Sequence, residues 1–195
     1  GFRLDSLNIL YKGKRLDEVA RLHGKNADET VVDLIVRDKS RIEAIYYLQS
    51  EDNIKKIIQL PYVSFGSDAG SEAIREDNME EGTHPRTYGT FARVLGQYVH
   101  DEKLVSLEEV IRRLTSLPAS NLKIKNRGSL KVGYYADLAI FDANSIRDLA
   151  TFEKPKQYAI GMTHVFVNGV QVLNNGEHTS AKPGRVVRGP GYRAK

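Results

Sequence analysis

The chain has 195 residues, of which 41% are hydrophobic and 28% are charged, and this composition is typical of a globular domain. The sequence contains no cysteine, which excludes disulfides and thiolate metal ligands within it and says little about the compartment. We take the cytoplasm as the default location. Basic residues exceed acidic ones by only 29 − 25 = 4 and are scattered, and no apolar run approaches the roughly 20 residues of a membrane span, so we expect neither a nucleic-acid nor a membrane partner.

The first part of the chain is predicted to form two helices in series. Residues 15–24 carry apolar side chains at helical spacing and end at Gly24, a residue that commonly follows a helix. Asn26 then begins a second apolar pattern, and Glu29 follows three residues later. This spacing is that of a helix N-cap with a capping box.

The next segment has the order strand, helix, strand. Residues 43–48 (EAIYYL) and 62–65 (YVSF) are short apolar runs rich in β-forming side chains. Between them, residues 50–60 have a helix-start cluster and an apolar face, and Pro61 ends the pattern. A βαβ unit of this kind belongs to a parallel sheet covered by helices. Ligand sites of such sheets lie beyond the carboxyl ends of the strands, where Asp68 stands.

A long loop and two more helices follow. Residues 69–85 are polar and acidic, and a loop of this length in a compact domain is usually functional or mobile. Residues 84–99 (HPRTYGTFARVLGQYV) then show helical apolar spacing. Ser106 and Glu109 form a second capping-box pattern at the start of a further helix.

From Gly128 onward the pattern changes from helical to β. Residues 136–141 are predicted to form a strand after a glycine turn. Asn168-Gly169 lies between two β-rich runs, which is the strongest short-range signal for a β-hairpin. The last stretch, residues 182–195, is basic and punctuated by glycine and proline, and we expect an extended tail there. The chain is therefore predicted to be α/β to about Asn126 and mostly β afterwards.

Three sequence stretches together carry a family resemblance. They are GSDAG at 66–70, HPRTYGTFARVLGQYV at 84–99, and KVGYYADLAIFD at 131–142 followed by HVFVNGVQVLNNGEHT and GRVVRGPG. In this order they resemble the C-terminal portion of the D-aminoacylase, or N-acyl-D-amino-acid deacylase, family of metal-dependent amidohydrolases. GSDAG alone is a weak signal, whereas the ordered combination is specific.

The resemblance implies a fold and a domain organisation. Residues 1–126 would be the C-terminal part of a TIM-like (β/α)8 barrel, with strand seven at 43–48, strand eight at 62–66 and the closing helices. Residues 127–195 would form part of a small β-sandwich and the tail. Family members are more than twice as long, so strands seven and eight would lack their outer neighbours. Unpaired strand edges associate readily, and we expect self-association through the exposed barrel edge.

Asp68 is the catalytic residue that the resemblance implies. In the family, the acid at the end of strand eight takes a proton from a metal-bound water and passes it to the leaving amine. Asp68 would also be a possible metal ligand, with Zn²⁺ as the cofactor of the whole enzyme. From the local pattern alone, an Asp that caps the following turn is the favoured alternative, and the other two motifs reverse that preference. No pair of histidines has metal-ligand spacing, so we expect no stoichiometric zinc in this chain alone.

Arg86 is the residue that the resemblance assigns to the substrate's α-carboxylate. A guanidinium matches a carboxylate bidentately, and a cation at a helix start opposes the helix dipole, which favours a functional role over that of a surface arginine. His84 is a second candidate for substrate binding, with a packed structural role as its alternative. The remaining histidines are expected to be structural or exposed: His23, His100, His164 and His178.

These residues lead to one functional hypothesis and two alternatives. The hypothesis is zinc-dependent hydrolysis of the amide of a small-molecule N-acyl-D-amino acid, giving a carboxylate and a free D-amino acid. One alternative is a different amidohydrolase, similar to dihydroorotase, hydantoinase or isoaspartyl dipeptidase. The other is an inactive fragment or interaction module that lacks the metal ligands; the first residue is Gly rather than Met.

Overall fold

The computed structural model of the chain describes residues 1–76 and 82–193. These residues divide into two compact units, Gly1–Leu48 with Ile74–His84 and Gln49–Ala73 with Pro85–Lys195. Residues 77–81 of the predicted long loop and the last two residues of the predicted tail lie outside this description. None of the helices in the described ranges combines the length and the apolar character that crossing a bilayer requires.

The first unit contains three helices: α1 (Asp5–Tyr11), α2 (Leu16–His23) and α3 (Ala27–Asp38). Gly24 ends α2 in the left-handed conformation with φ 63°, and the Asn26 side chain caps α3 by accepting the backbone N–H of Glu29 at 2.9 Å. The two helices predicted from the sequence are therefore confirmed, and α1 precedes them. Each of these helices buries apolar side chains: Leu7 in α1, Val19 and Ala20 in α2, and Leu34 in α3.

The helices of the second unit are α4 (Glu51–Ile58), α5 (Arg86–Arg93), α6 (Leu107–Leu114) and α7 (Ser116–Asn121). The Ser106 hydroxyl accepts the backbone N–H of Glu109 at 3.3 Å and caps α6 as predicted. Helix α5 continues without a break into a π-helical segment, Val94–Asp101. Such segments are rare, and many of them occur at functional sites.

One apolar core holds the second unit together. It is formed by buried side chains from α4, α5, the π-helical segment, α6 and the turn that follows β1: Ile58, Ala92, Val94, Leu95, Tyr98, Val110 and Ile146. A Cβ added to Gly96 would lie 2.4 Å from the Ile146 carbonyl oxygen. The backbone of the π-helical segment therefore packs directly against that turn, and only glycine allows this approach.

The sheet of the second unit consists of β1 (Leu138–Phe141), β2 (Met162–Val167), β3 (Val170–Asn174) and β4 (Glu177–His178), all antiparallel and adjacent in chain order. Val167 pairs with Val170 across the turn. Asn168 and Gly169 both have positive φ, 50° and 81°, as a type I′ turn requires. The predicted hairpin is confirmed.

The two predicted barrel strands are absent from the described structure. Residues 43–48 and 62–66 belong to no sheet, although α4 lies between them as expected. The prediction of strands at these positions is therefore wrong for this chain. The physical reason is that a strand is defined by hydrogen bonds to a neighbouring strand, whereas β-propensity reflects only the local side chains. The assignments of 1–126 to a barrel and 127–195 to a sandwich stay predictions.

Candidate functional site

Asp68 lies in an extended, unpaired segment of the second unit. Exposure alternates from Val63 to Asp68, with Val63 and Phe65 turned inward and Asp68 turned outward. The Asp68 side chain is 91% exposed, and its φ of 49° is left-handed, a conformation that Asp tolerates better than most residues. The sequence predicted an acid at the end of a buried strand; the structure instead places this carboxylate in solvent.

Arg86 is the first residue of α5 and contacts Asp68. Its Nη2 lies 3.1 Å from the Asp68 Oδ2, and its side chain is 45% exposed. The structure thus brings together the predicted catalytic acid and the predicted carboxylate-binding arginine. An ion pair this exposed contributes at most about 1 kcal/mol to stability. The carboxylate of Asp68 also offsets the unfavourable position of a cation at a helix N-terminus.

The third predicted site residue is His84. His84 is half-buried and belongs to the first unit, whereas Asp68 and Arg86 belong to the second. Its contact with substrate stays a prediction. The other histidines make contacts inside their own units or lie exposed: His23 with the Tyr11 hydroxyl, His100 with Asp101 and Arg147, His164 with Gln171, and the exposed His178.

The described residues do not form a metal site of their own. Within residues 1–76 and 82–193, no three His, Asp or Glu side chains lie close enough together to hold a metal ion. Asp68 is a suitable oxygen ligand, but its ion-pair partner is the cationic Arg86, which disfavours a second cation beside it. Asp68 therefore offers at most one zinc ligand, and the described residues do not form a complete zinc site.

Helix α6 carries a residue that the sequence analysis did not single out. Arg113 is fully buried, and its Nε donates to the Val63 carbonyl at 2.5 Å. This arginine therefore holds the segment that leads to Asp68. Its partners lie about fifty residues earlier in the chain, so no local sequence signal could have shown the contact.

A comparison with known protein families identifies the chain. The model of the amidohydrolase family matches residues 10–173, which is most of the sequence. The chain belongs to the amidohydrolase family. The family resemblance seen in the sequence motifs is confirmed.

Two relatives show where the chain lies within this family. The chain is 37% identical over 175 residues to the D-aminoacylase of Alcaligenes xylosoxydans xylosoxydans, covering 90% of the chain and 34% of that enzyme. It is 36% identical over 192 residues to the N-acyl-D-aspartate deacylase of the same organism, covering 95% of the chain and 36% of the relative.

A solved structure gives the same result for the fold. The N-acyl-D-glutamate deacylase of Bordetella bronchiseptica, complexed with zinc and a phosphonate mimic of the tetrahedral intermediate, superposes with a TM-score of 0.78 at 32% identity. The match covers 96% of the chain and 37% of that structure. The chain spans about a third of the length of the relatives it matches, and its fold is that of the corresponding part of an amidohydrolase.

Proposed function

We propose that the protein containing this chain hydrolyses the amide bond of N-acyl-D-amino acids to a carboxylate and a free D-amino acid. The support from comparison is that the relatives named above are a D-aminoacylase and deacylases of N-acyl-D-aspartate and N-acyl-D-glutamate. The support from structure is one contact, the 3.1 Å ion pair between Asp68 and Arg86.

The geometry of the substrate explains why this contact matters. In an N-acyl amino acid, the scissile nitrogen and the carboxylate carbon are bonded to the same Cα, at about 1.46 and 1.52 Å. A group that protonates the nitrogen and a group that binds the carboxylate must therefore lie within a few ångströms of each other. Asp68 and Arg86 satisfy that requirement, since their charged atoms are in contact.

Each residue has a distinct role in this proposal. Arg86 holds the α-carboxylate of the substrate with its guanidinium fork. Asp68 accepts a proton from the attacking water and donates it to the amine as the C–N bond breaks. Because the substrate carboxylate competes with Asp68 for Arg86, binding of substrate would free the Asp68 carboxylate for proton transfer.

The metal requirement belongs to the proposal for the whole protein. Zinc is bound by the N-acyl-D-glutamate deacylase named above, and the described residues of this chain offer at most Asp68 as one ligand. We therefore propose zinc as the cofactor of the whole protein and assign no chemical step to it.

Activity assays on the intact protein test this function. N-acetyl amino acids would be supplied as matched D and L pairs, and we expect hydrolysis of the D form only. Asp68→Asn keeps the shape but removes the proton acceptor, so kcat should fall by roughly 10²–10⁴. Asp17→Asn is a matched control, because Asp17 is an exposed acid paired with Arg15 and Arg21, and it should leave kcat unchanged.

The role of Arg86 has its own test. Arg86→Ala should raise KM for N-acetyl-D-amino acids and leave the corresponding α-carboxamides, which lack a carboxylate, nearly unaffected. Equal losses on both substrates would remove Arg86 from carboxylate binding. Equal hydrolysis of D and L substrates, or full activity of Asp68→Asn, would refute the proposed function.

A further inference from the structure

Arg113 of α6 makes its hydrogen bonds and its cation–π contact with one stretch of the chain, residues 58–65. Its Nε donates to the Val63 carbonyl and its Nη1 to the Ile58 carbonyl, each at 2.5 Å. Its guanidinium lies 4.6 Å from the centre of the Phe65 ring, at cation–π distance. The side chain has no exposed surface. A single buried cation therefore contacts the segment from Ile58 to Phe65.

The charge of Arg113 is not balanced by an ion pair. Among the described residues no carboxylate pairs with it, since the neighbouring Glu109 makes two 2.7 Å contacts with Arg112. The Arg113 Nη2 is buried and has no hydrogen-bond partner among the described residues. Desolvation by burial lowers the pKa of Arg113. A buried unpaired cation is unfavourable for stability alone, and an apolar side chain of similar volume would be expected at such a position.

No strand pairing supports this segment in the described part of the chain. Residues 62–66 belong to no sheet, so their carbonyls are not held by a strand ladder. The half-buried Arg112 adds a 2.7 Å hydrogen bond to the Pro61 carbonyl from the same helix. Two consecutive arginines of α6 therefore hold three carbonyls of this segment.

The contacts of Arg113 lie in the extended segment that leads to Asp68. Successive side chains of an extended segment point to opposite sides. Val63 and Phe65, which Arg113 contacts, face inward, and Asp68 faces outward to Arg86. If the inward residues were released, the segment could rotate or slide, and the Asp68 carboxylate would leave its position beside Arg86.

We propose that Arg113 is a positioning residue for Asp68, which it orients by holding the backbone of Ile58 and Val63 and the ring of Phe65. This inference rests on the function proposed above. Arg113 itself does not touch substrate. Arginine suits this role better than lysine, because its planar fork can bind two carbonyls and stack on a ring at the same time.

The test compares Arg113→Lys with Arg147→Lys in the intact protein. Arg147 is the matched control, because it also donates to a carbonyl of the second unit, that of Ile146 at 2.8 Å, without touching the Asp68 segment. We expect Arg113→Lys to lower kcat at least tenfold with KM changed less than threefold. Arg147→Lys should change neither.

Hydrogen exchange supplies a readout that does not depend on activity. Amides 59–70 should exchange at least tenfold faster in Arg113→Lys than in the wild-type protein, and within twofold of wild type in Arg147→Lys. If the wild-type protein hydrolyses no N-acyl-D-amino acid, the proposed function fails, and exchange alone decides the Arg113 inference. Unchanged exchange, or a loss of activity that only follows the folded fraction, would overturn it.

A second variant covers the case in which Arg113→Lys does not fold. Phe65→Leu removes the ring that stacks on the guanidinium and leaves both carbonyl contacts in place. Phe65→Leu should also lower kcat and speed up amide exchange, but by smaller factors than Arg113→Lys. Wild-type kcat and wild-type exchange in Phe65→Leu would then overturn the inference.

Discussion

Replacing Ile146 by alanine should destabilise the second unit more than replacing any half-exposed isoleucine in it. Ile146 is 1% exposed and belongs to the core cluster with Leu95 and Val110. The change removes three buried carbons, which at about 0.8 kcal/mol each amounts to roughly 2.4 kcal/mol of lost transfer free energy. The turn around Ile146 packs against the backbone of Gly96 and cannot collapse freely, so a cavity contribution brings the expected loss to about 3 kcal/mol.

The assay is reversible unfolding of the 195-residue chain in urea, followed by circular dichroism, with thermal melting alongside. A loss of about 3 kcal/mol should lower Tm by roughly 6–12 °C in a chain of this length. Ile160→Ala is the control, because Ile160 is 48% exposed and should cost less than half as much. If both variants lost the same free energy of unfolding, the packing of Ile146 between the π-helical segment and the core would be refuted.

Two further predictions concern the same turn. Gly96→Ala should lower Tm, since its Cβ would lie 2.4 Å from the Ile146 carbonyl oxygen and the clash outweighs the gain of about 1 kcal/mol in helix propensity. Gly189→Ala is the control and should leave Tm unchanged, because its Cβ would meet no atom within 4 Å. Equal Tm values for the two variants would contradict the packing at Gly96. The backbone N–H of Asn144 and the Ser145 hydroxyl hold the pKa of Asp142 below its usual value. The ionised carboxylate therefore stabilises the fold at pH values above its unfolded-state pKa, near 3.9. This stabilisation is lost as pH falls through the lower folded-state pKa. Asp142→Asn should therefore show a shallower fall of Tm between pH 5 and 2 (measured by circular dichroism), and parallel curves for the two proteins would count against the role of the carboxylate.

Features that depend on neighbouring residues were predictable from the sequence. The side chains of Asn26 and Ser106 start helices by accepting a hydrogen bond from the backbone N–H three residues later. Asn168-Gly169 forms the hairpin turn through its own backbone angles. Each of these signals acts within a few residues, so the pattern of side chains is sufficient to locate the element.

Features that depend on distant residues were not predictable in the same way. The runs at 43–48 and 62–65 have strand-like composition, but pairing is a property of two segments, and the structure pairs neither run. The π-helical segment has the apolar spacing of an ordinary helix; its close contact at Gly96 involves a turn fifty residues later. The hydrogen bond from Arg113 to the Val63 carbonyl likewise joins residues that are distant in the sequence.

The same distinction between local and distant features applies to the candidate site. Family motifs pointed to Asp68 and Arg86 separately, and the structure adds that their charged atoms are in contact at 3.1 Å. The motif also led us to expect Asp68 at the end of a barrel strand, whereas its exposed carboxylate follows a segment that belongs to no sheet. The identity of a functional side chain is thus readable from a short motif, while its environment depends on which segments surround it.

The exposed run Ile45-Tyr46-Tyr47-Leu48 has a consequence for the life of this polypeptide in a cell. All four side chains are at least 42% exposed, and the run is short, uncharged and rich in β-forming residues. Such a segment is what chaperones bind and what quality-control proteases act upon when it stays accessible. We therefore expect the steady-state amount of this protein to depend strongly on how soon after synthesis these four side chains become covered.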